Sequence, residues 1–160
     1  MTGIRSFALA IAASIAVTAT AVPAHAKNLV GIPEVIDGDT IQIGRQVIRL
    51  YGIDAPDERQ TCELEGRRWG CGRDAAFALA NLVGKHWVTC TERGRREEII
   101  VATCIAGPLD FAEQMLRAGF ALAEPGATAA YKAAEAAARR ARLGLWKSRF
   151  VKPWDWSPPS

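Results

Sequence analysis

The chain has 160 residues, of which 49% are hydrophobic and 23% are charged. This length suits one domain with a single small core and leaves little room for a second domain. The formal net charge of +3 is too small to indicate nucleic-acid binding by itself. A prediction of function therefore depends on particular residues.

Residues 1–26 have the organisation of a secretory signal peptide. Arg5 supplies a short positive region, residues 7–21 are apolar, and Ala24-His25-Ala26 is a cleavage site of the small-x-small type. Cleavage there would leave an exported chain that begins at Lys27, either periplasmic or secreted, without stable membrane insertion. The alternative is an uncleaved membrane anchor, but the apolar run is short for a spanning helix.

A three-stranded meander is predicted next. Gly31 and Pro33 indicate that the first strand lies at an edge or contains a bulge, and Asp37-Gly38 is a hairpin-turn signal. The predicted strands cover residues 29–36, 40–43 and 46–51. Residues 52–72 contain turn residues and charges without a clean period, so a long loop is predicted there.

Three helices and two further strands are predicted in the second half of the chain. The first helix is predicted because its apolar residues recur on one face. Gly84 is expected to end it. Asp110 and Glu113 form a capping box at the start of the second helix. The predicted helices cover 73–83, 111–118 and 128–143, and the strands cover 86–91 and 99–105.

This order of elements predicts an α+β fold in which five strands close into a small barrel and about three helices pack against it. The barrel domain would occupy residues 27–150. Residues 151–160 are rich in tryptophan and proline, and we expect them to form a tail that is anchored by its tryptophans. The other tryptophans are expected in the core.

Four cysteines lie in the part of the chain that would be exported, which predicts disulfides. The favoured pair is Cys90–Cys104, because both cysteines lie in apolar, strand-like runs joined by a charged hairpin. Cys62–Cys71 would then close the loop before the first helix. Free buried thiols are the alternative. The sequence has no Cys-x-x-Cys pair, which argues against a zinc site.

The candidate functional residues are concentrated between residues 37 and 57. This segment carries the aspartates Asp37, Asp39, Asp54 and Asp57, together with Arg49. Carboxylate oxygens bind a hard cation, a carboxylate can activate water, and an arginine can hold a phosphate through two parallel hydrogen bonds. These residues suit phosphodiester hydrolysis. A plain hairpin turn and a surface arginine are the structural alternatives.

The motifs Val-Ile-Asp-Gly-Asp-Thr at 35–40 and Ile-Arg-Leu-Tyr-Gly-Ile-Asp-Ala-Pro at 48–56 resemble the staphylococcal nuclease (thermonuclease) family. The resemblance extends over residues 30–147, with further matches at 101–104, 109–110, 118–123, 134–136 and 144–146. It implies a five-stranded OB-fold barrel and calcium-dependent cleavage of single-stranded or loosened DNA and RNA. A monomer is expected.

The resemblance also implies the roles of individual residues. Asp39 and Asp54 would bind one calcium ion together with the backbone carbonyl of Ala55. Arg49 would clamp the scissile phosphate, and Asp57 would act as the general base or orient the attacking water. The ion would polarise the phosphorus and offset the charge that develops during an in-line displacement.

Three positions depart from the family pattern. Asp57 stands where glutamate is usual, and a carboxylate misplaced by roughly 1 Å can cost about a hundredfold in rate. The family has a phosphate-binding arginine shortly before the position of Val101, and this chain has an isoleucine there. Arg95 or Arg96 could take over that role only if the hairpin has a different register. Residues 124–128 contain no tyrosine that could stack on a base.

The predicted function is an exported, calcium-dependent nuclease whose activity these departures would weaken. The intact set of aspartates with Arg49 favours this prediction. The departures favour the alternative, which is a catalytically degenerate OB-fold module that binds nucleic acid or a protein partner in the cell envelope. The fold alone does not separate these two possibilities.

Overall fold

The computed structural model describes residues 27–158, so the predicted signal peptide lies outside the described residues. The helices are α1 (Cys71–Val83), α2 (Phe111–Ala118) and α3 (Ala129–Arg140). The strands are β1 (Asn28–Gly31), β2 (Glu34–Val35), β3 (Thr40–Ile43), β4 (Gln46–Leu50), β5 (Ile53–Asp54), β6 (Cys62–Leu64), β7 (Arg67–Trp69), β8 (Val88–Arg96), β9 (Ile99–Ala106), β10 (Leu109–Asp110) and β11 (Leu122–Ala123). Two short 3-10 turns follow α3, at Gly144–Lys147 and Pro153–Asp155.

A seven-stranded mixed sheet forms the body of the fold. Its strand order is β1-β8-β9-β4-β3-β2, and β10 also pairs with β9. The β3–β4 and β8–β9 pairs are antiparallel hairpins, whereas β4 and β9 run parallel. This parallel pairing joins the meander to the later hairpin. The predicted α+β, OB-fold-like architecture with three helices is confirmed.

The first predicted strand is divided in the structure. β1 pairs with β8, whereas β2 pairs with β3, so the two parts join opposite ends of the sheet. The division falls at Ile32 and Pro33, where proline cannot donate a ladder hydrogen bond. The edge or bulge that Pro33 indicated is therefore a change of pairing partner.

The prediction of a long loop over residues 52–72 is wrong. This segment contains β5 and the β6–β7 hairpin. Glu65 and Gly66 connect β6 to β7 with φ angles of 52° and 75°, which are the positive values that a tight hairpin turn requires. The three-residue strands are too short for their alternation to stand out in the sequence.

The core lies between the sheet and the helices α1 and α2. Leu79 of α1 lies on the face that the sequence predicted to be buried. The largest fully buried side chains include Phe111, Ile41, Ile48, Leu50, Ile100, Met115 and Leu116. Trp87 is 69% exposed, so its expected place in the core is wrong. Within the described residues, no helix is both long and apolar enough to cross a membrane.

Both predicted disulfides are present. Cys90 and Cys104 are direct partners across the β8–β9 ladder, with their Cα atoms 4.0 Å apart. Cys62 and Cys71 join β6 to the first residue of α1, with Cα atoms 5.7 Å apart. The described residues include no free cysteine, so the alternative of free thiols is wrong. The second disulfide ties the segment after Asp57 to α1.

Candidate active site

A cleft of about 370 Å³ brings most of the predicted functional residues together. We call it the acidic cleft. Its lining comes from the β2–β3 turn, β4, β5, the end of β8 and the C-terminal tail. The lining residues are Asp37, Asp39, Arg49, Asp54, Ala55, Asp57, Arg96, Pro153, Trp154, Trp156 and Pro158.

The β2–β3 turn places Asp39 at the bottom of the cleft. The Asp37 carboxylate accepts a hydrogen bond from the backbone N–H of Asp39 at 3.0 Å, which closes the turn locally. A Cβ atom on Gly38 would lie 2.8 Å from the Cβ atoms of Ala55 and Ala75. Only glycine therefore lets the turn pack this closely against β5 and α1.

Arg49 connects the two buried aspartates. Its Nη2 atom is 2.9 Å from Oδ2 of Asp39 and also contacts Oδ1 of Asp54. Oδ2 of Asp39 accepts a further hydrogen bond from the backbone N–H of Ala55 at 2.9 Å, and Oδ1 accepts one from the Thr40 hydroxyl at 2.8 Å. Asp39 is 2% exposed. The carboxylates are thus held rigidly around one guanidinium.

The acidic cleft is short of positive charge. Burial raises the pKa of Asp39 to about 7, even though Arg49 opposes that rise, and burial also raises the pKa of Asp54. One guanidinium therefore does not fully offset two desolvated carboxylates. Nε of Arg49 is buried without a hydrogen-bond partner among the described residues. This leaves one donor of the guanidinium unsatisfied inside the protein.

The donor set fits a hard divalent cation. Oδ2 of Asp39 and Oδ1 of Asp54 both contact Nη2 of Arg49, and a hard cation would bind these carboxylates beside the guanidinium. Residues 27–158 contain no group of three or more His, Cys, Asp or Glu side chains that are placed so that they could hold a metal ion. A cation here would therefore complete its shell with water or backbone oxygen, as calcium and magnesium do. The role of the Ala55 carbonyl stays a prediction.

Asp57 lies at the rim of the cleft, on the loop before β6. Its side chain is 43% exposed, and Oδ1 accepts hydrogen bonds from the backbone N–H of Arg59 at 2.9 Å and from its Nε at 3.3 Å. A Cβ atom on Gly72 would lie 1.8 Å from the carbonyl oxygen of Asp57. Gly72 thus permits the close contact between this loop and α1.

Arg96 enters the acidic cleft because β8 contains a bulge. The register shifts between Glu92 and Gly94, and Arg96 is then the direct partner of Ile99. Without that extra residue, Arg95 would face Ile99 instead. Val101 pairs with both Gly94 of β8 and Arg49 of β4. Since residues two apart on a strand share a face, Arg96 and Arg49 project from the same side of the sheet.

The two hairpin arginines therefore differ in position. Nη2 of Arg96 is 2.8 Å from the Glu124 carboxylate, at the edge of the cleft. Nε of Arg95 is 3.0 Å from Glu92 and does not line the cleft. Arg96 thus lies across the ladder from Ile99, one of the two isoleucines directly before Val101. The bulge thus gives Arg96, and not Arg95, a place in the lining of the cleft, and a substrate-binding role for either arginine stays a prediction.

Sequence reasoning missed Glu124 and the tail tryptophans as residues of this region. In the sequence, Glu124 stands out only as part of a stretch without aromatic residues. In the structure it pairs with Arg96, and its negative charge contributes to the raised pKa of Asp54. Trp154 and Trp156 line the cleft although they lie about a hundred positions or more from its aspartates. No local pattern in the sequence signals that proximity.

Comparisons with known proteins identify the family of this chain. The family described as "Staphylococcal nuclease homologue" matches residues 47–148. The succinoglycan biosynthesis protein ExoI of Rhizobium meliloti (strain 1021) is 32% identical, over 78% of this chain and 68% of its own length. Protein ParB of Escherichia coli is 30% identical over 95% and 92%, and a micrococcal nuclease of Shigella flexneri is 30% identical over 93% and 91%. The family match covers Arg49 of β4, Asp54 of β5 and Arg96 of β8, and the chain belongs to the staphylococcal nuclease family.

Proposed function

We propose that the protein is an exported, calcium-dependent nuclease that hydrolyses phosphodiester bonds in single-stranded or loosened DNA and RNA. Membership of the nuclease family supports hydrolysis of nucleic acid. The observation that carries the proposal is the guanidinium donor of Arg49, which contacts Asp39 and Asp54, is 29% exposed and lines the acidic cleft. A phosphate oxygen is the ligand that such a donor, beside a cation site, would suit.

The chemistry divides among five side chains. Calcium held by Asp39 and Asp54 would act as a Lewis acid toward the phosphate. Arg49 donates hydrogen bonds to a non-bridging oxygen, and Arg96 approaches the same phosphate from the β8–β9 hairpin. Asp57 accepts a proton from the water whose oxygen forms the new bond to phosphorus. The bond from phosphorus to the opposite ester oxygen then breaks, and both arginines stabilise the charge that develops.

Export is supported by the sequence and by the disulfides. Residues 1–26 have the organisation of a signal peptide, and two disulfides suit an oxidising compartment. The name of the Rhizobium meliloti relative connects that protein with succinoglycan biosynthesis. On this ground, a non-catalytic module in the cell envelope is the second candidate function.

The first test is cleavage by the oxidised chain from Lys27, with denatured DNA and RNA, in calcium or in a chelator. We expect cleavage that requires calcium and falls at least about a hundredfold in Asp39→Ala, because that change removes charge stabilisation from the transition state. Glu34→Ala, at an exposed position on β2, is the control and should cleave normally. A folded protein that binds calcium without cutting either substrate would favour the second candidate function.

Asp57→Glu should raise kcat by about ten- to a hundredfold. The longer side chain returns the carboxylate by roughly 1 Å toward the position that glutamate takes in the family, and rates depend steeply on such distances. Asp57→Asn should lower kcat, because it removes the base. Glu58→Gln tests whether the neighbouring acid does this work instead. Equal rates in Asp57→Glu and Asp57→Asn would rule out Asp57 as the base.

A further inference from the structure

We propose that Trp154 and Trp156 of the C-terminal tail form a stacking platform for the bases of a single-stranded substrate. This inference rests on the proposed nuclease function and extends it to the part of the substrate beside the scissile phosphate. Both tryptophans line the acidic cleft together with Arg49 and Arg96.

The tail is attached by polar contacts to the loop that carries Asp57 and, through the residues just before the tail, to β6. The backbone groups of Glu63 and Arg149 exchange two hydrogen bonds, both 2.8 Å long. The side-chain amide of Gln60, which is fully buried, donates to the carbonyl of Val151 at 2.7 Å. A 3-10 turn at Pro153–Asp155 then presents the aromatic residues to the cleft. These contacts hold the backbone of the tail in place without any contribution from its tryptophan side chains.

The tryptophans are not buried anchors. Trp154 is 44% exposed and Trp156 is partly exposed. The expectation that the tail is anchored by its tryptophans is therefore wrong for Trp154, whose ring remains accessible from the cleft. Nζ of Lys152 is 5.5 Å from the centroid of that ring. Because this ammonium lies over one face of the ring, a base would stack on the opposite face while Lys152 pairs with a backbone phosphate.

Single-stranded nucleic acid has that combination. A phosphate bound by the two arginines carries bases that lie within a nucleotide's length of it, and every base offers a flat face for stacking. Residues 124–128, which follow β11, contain no aromatic side chain. Among residues 27–158, the aromatic side chains that line the acidic cleft are the two tail tryptophans. The tail therefore supplies the surface on which a base can stack.

The test measures binding separately from cleavage. Two fluorescent probes are used in calcium: a phosphorothioate-linked thymidine oligonucleotide, which resists hydrolysis, and an abasic oligonucleotide of the same length and linkage. We expect the chain from Lys27 to prefer the thymidine probe. Trp154→Ala should weaken its binding by about 5- to 150-fold and leave the abasic probe unchanged. Trp154→Phe, which keeps a ring, should retain most of the preference.

Trp87→Ala is the matched control, because Trp87 is 69% exposed and does not line the acidic cleft. Equal weakening of both probes by Trp154→Ala, or no preference in the unchanged protein, would overturn the platform. Tighter binding or faster cleavage in Trp154→Ala would also overturn it, since the tail would then be a cover over the cleft. Base-dependent binding without any cleavage would keep the platform and contradict the proposed nuclease function.

Discussion

Arg49→Lys should lower kcat for denatured DNA by about a thousandfold or more. Loss of one arginine that stabilises a phosphoryl transition state costs about three to five orders of magnitude, and lysine cannot reproduce the two parallel hydrogen bonds of a guanidinium. Lysine keeps a positive charge between Asp39 and Asp54, so the fold should survive. Steady-state cleavage rates and thermal unfolding of the same samples measure the two effects separately.

Lysine is more informative than alanine at this position. Arg49→Ala would leave two buried carboxylates without their counter-charge, and breaking a buried pair costs about 3–5 kcal/mol. The side chain of Arg49 is 29% exposed, so the cost should lie toward the lower end of that range. Arg45→Lys, in the exposed turn between β3 and β4, should change neither rate nor stability. If Arg49→Lys kept its rate within tenfold, Arg49 would not be the phosphate clamp.

Arg96→Ala should lower kcat by about a hundred- to a thousandfold, whereas Arg95→Ala should change it little. The difference follows from the bulge in β8, which turns Arg96 into the acidic cleft and leaves Arg95 paired with Glu92. A charge placed where it meets the transition state contributes about 10²–10³ in rate. Cleavage rates of the two single variants, measured in parallel with Arg139→Ala, show whether Arg96 alone contributes to the rate.

A second-site change gives a sharper test of the same idea. Ile99 lies directly across the ladder from Arg96, so an arginine at either position would project from the same face of the sheet. Arg96→Ala with Ile99→Arg should therefore recover much of the activity that Arg96→Ala loses. If Arg95→Ala and Arg96→Ala had equally small effects, neither arginine would serve as a second phosphate clamp.

Arg96 is held by Glu124 before any substrate binds. The ion pair is 2.8 Å long, and the Arg96 side chain is 58% exposed, so it contributes little to stability. Its consequence is positional, since Glu124 keeps the guanidinium at the edge of the cleft. A phosphate that enters the cleft would compete with Glu124 for Arg96, and this competition is one reason to expect lower activity than in family members without such a pair.

The sequence by itself determined the family, the α+β fold and the identity of the central residues. Asp39, Arg49 and Asp54 were recognisable because they lie in turn and strand motifs only a few residues long, where local spacing dictates which side chains project together. The disulfide pairing was also predictable, since Cys90 and Cys104 flank one hairpin. The three helices followed from apolar periodicity and from the cap at Asp110, whose side chain accepts from the N–H of Glu113 at 3.2 Å.

Only the tertiary structure decided which residues complete the cleft. The choice between Arg95 and Arg96 depends on one extra residue in β8, and a single-residue slip reverses every side chain beyond it. The β6–β7 hairpin is stabilised by Cys62–Cys71 and by pairing with Arg149, contacts that no local period reveals. Trp154 and Trp156 reach the cleft because Gln60 and Glu63 hold the tail there. Such contacts join residues distant along the chain, so packing determines them and local pattern does not.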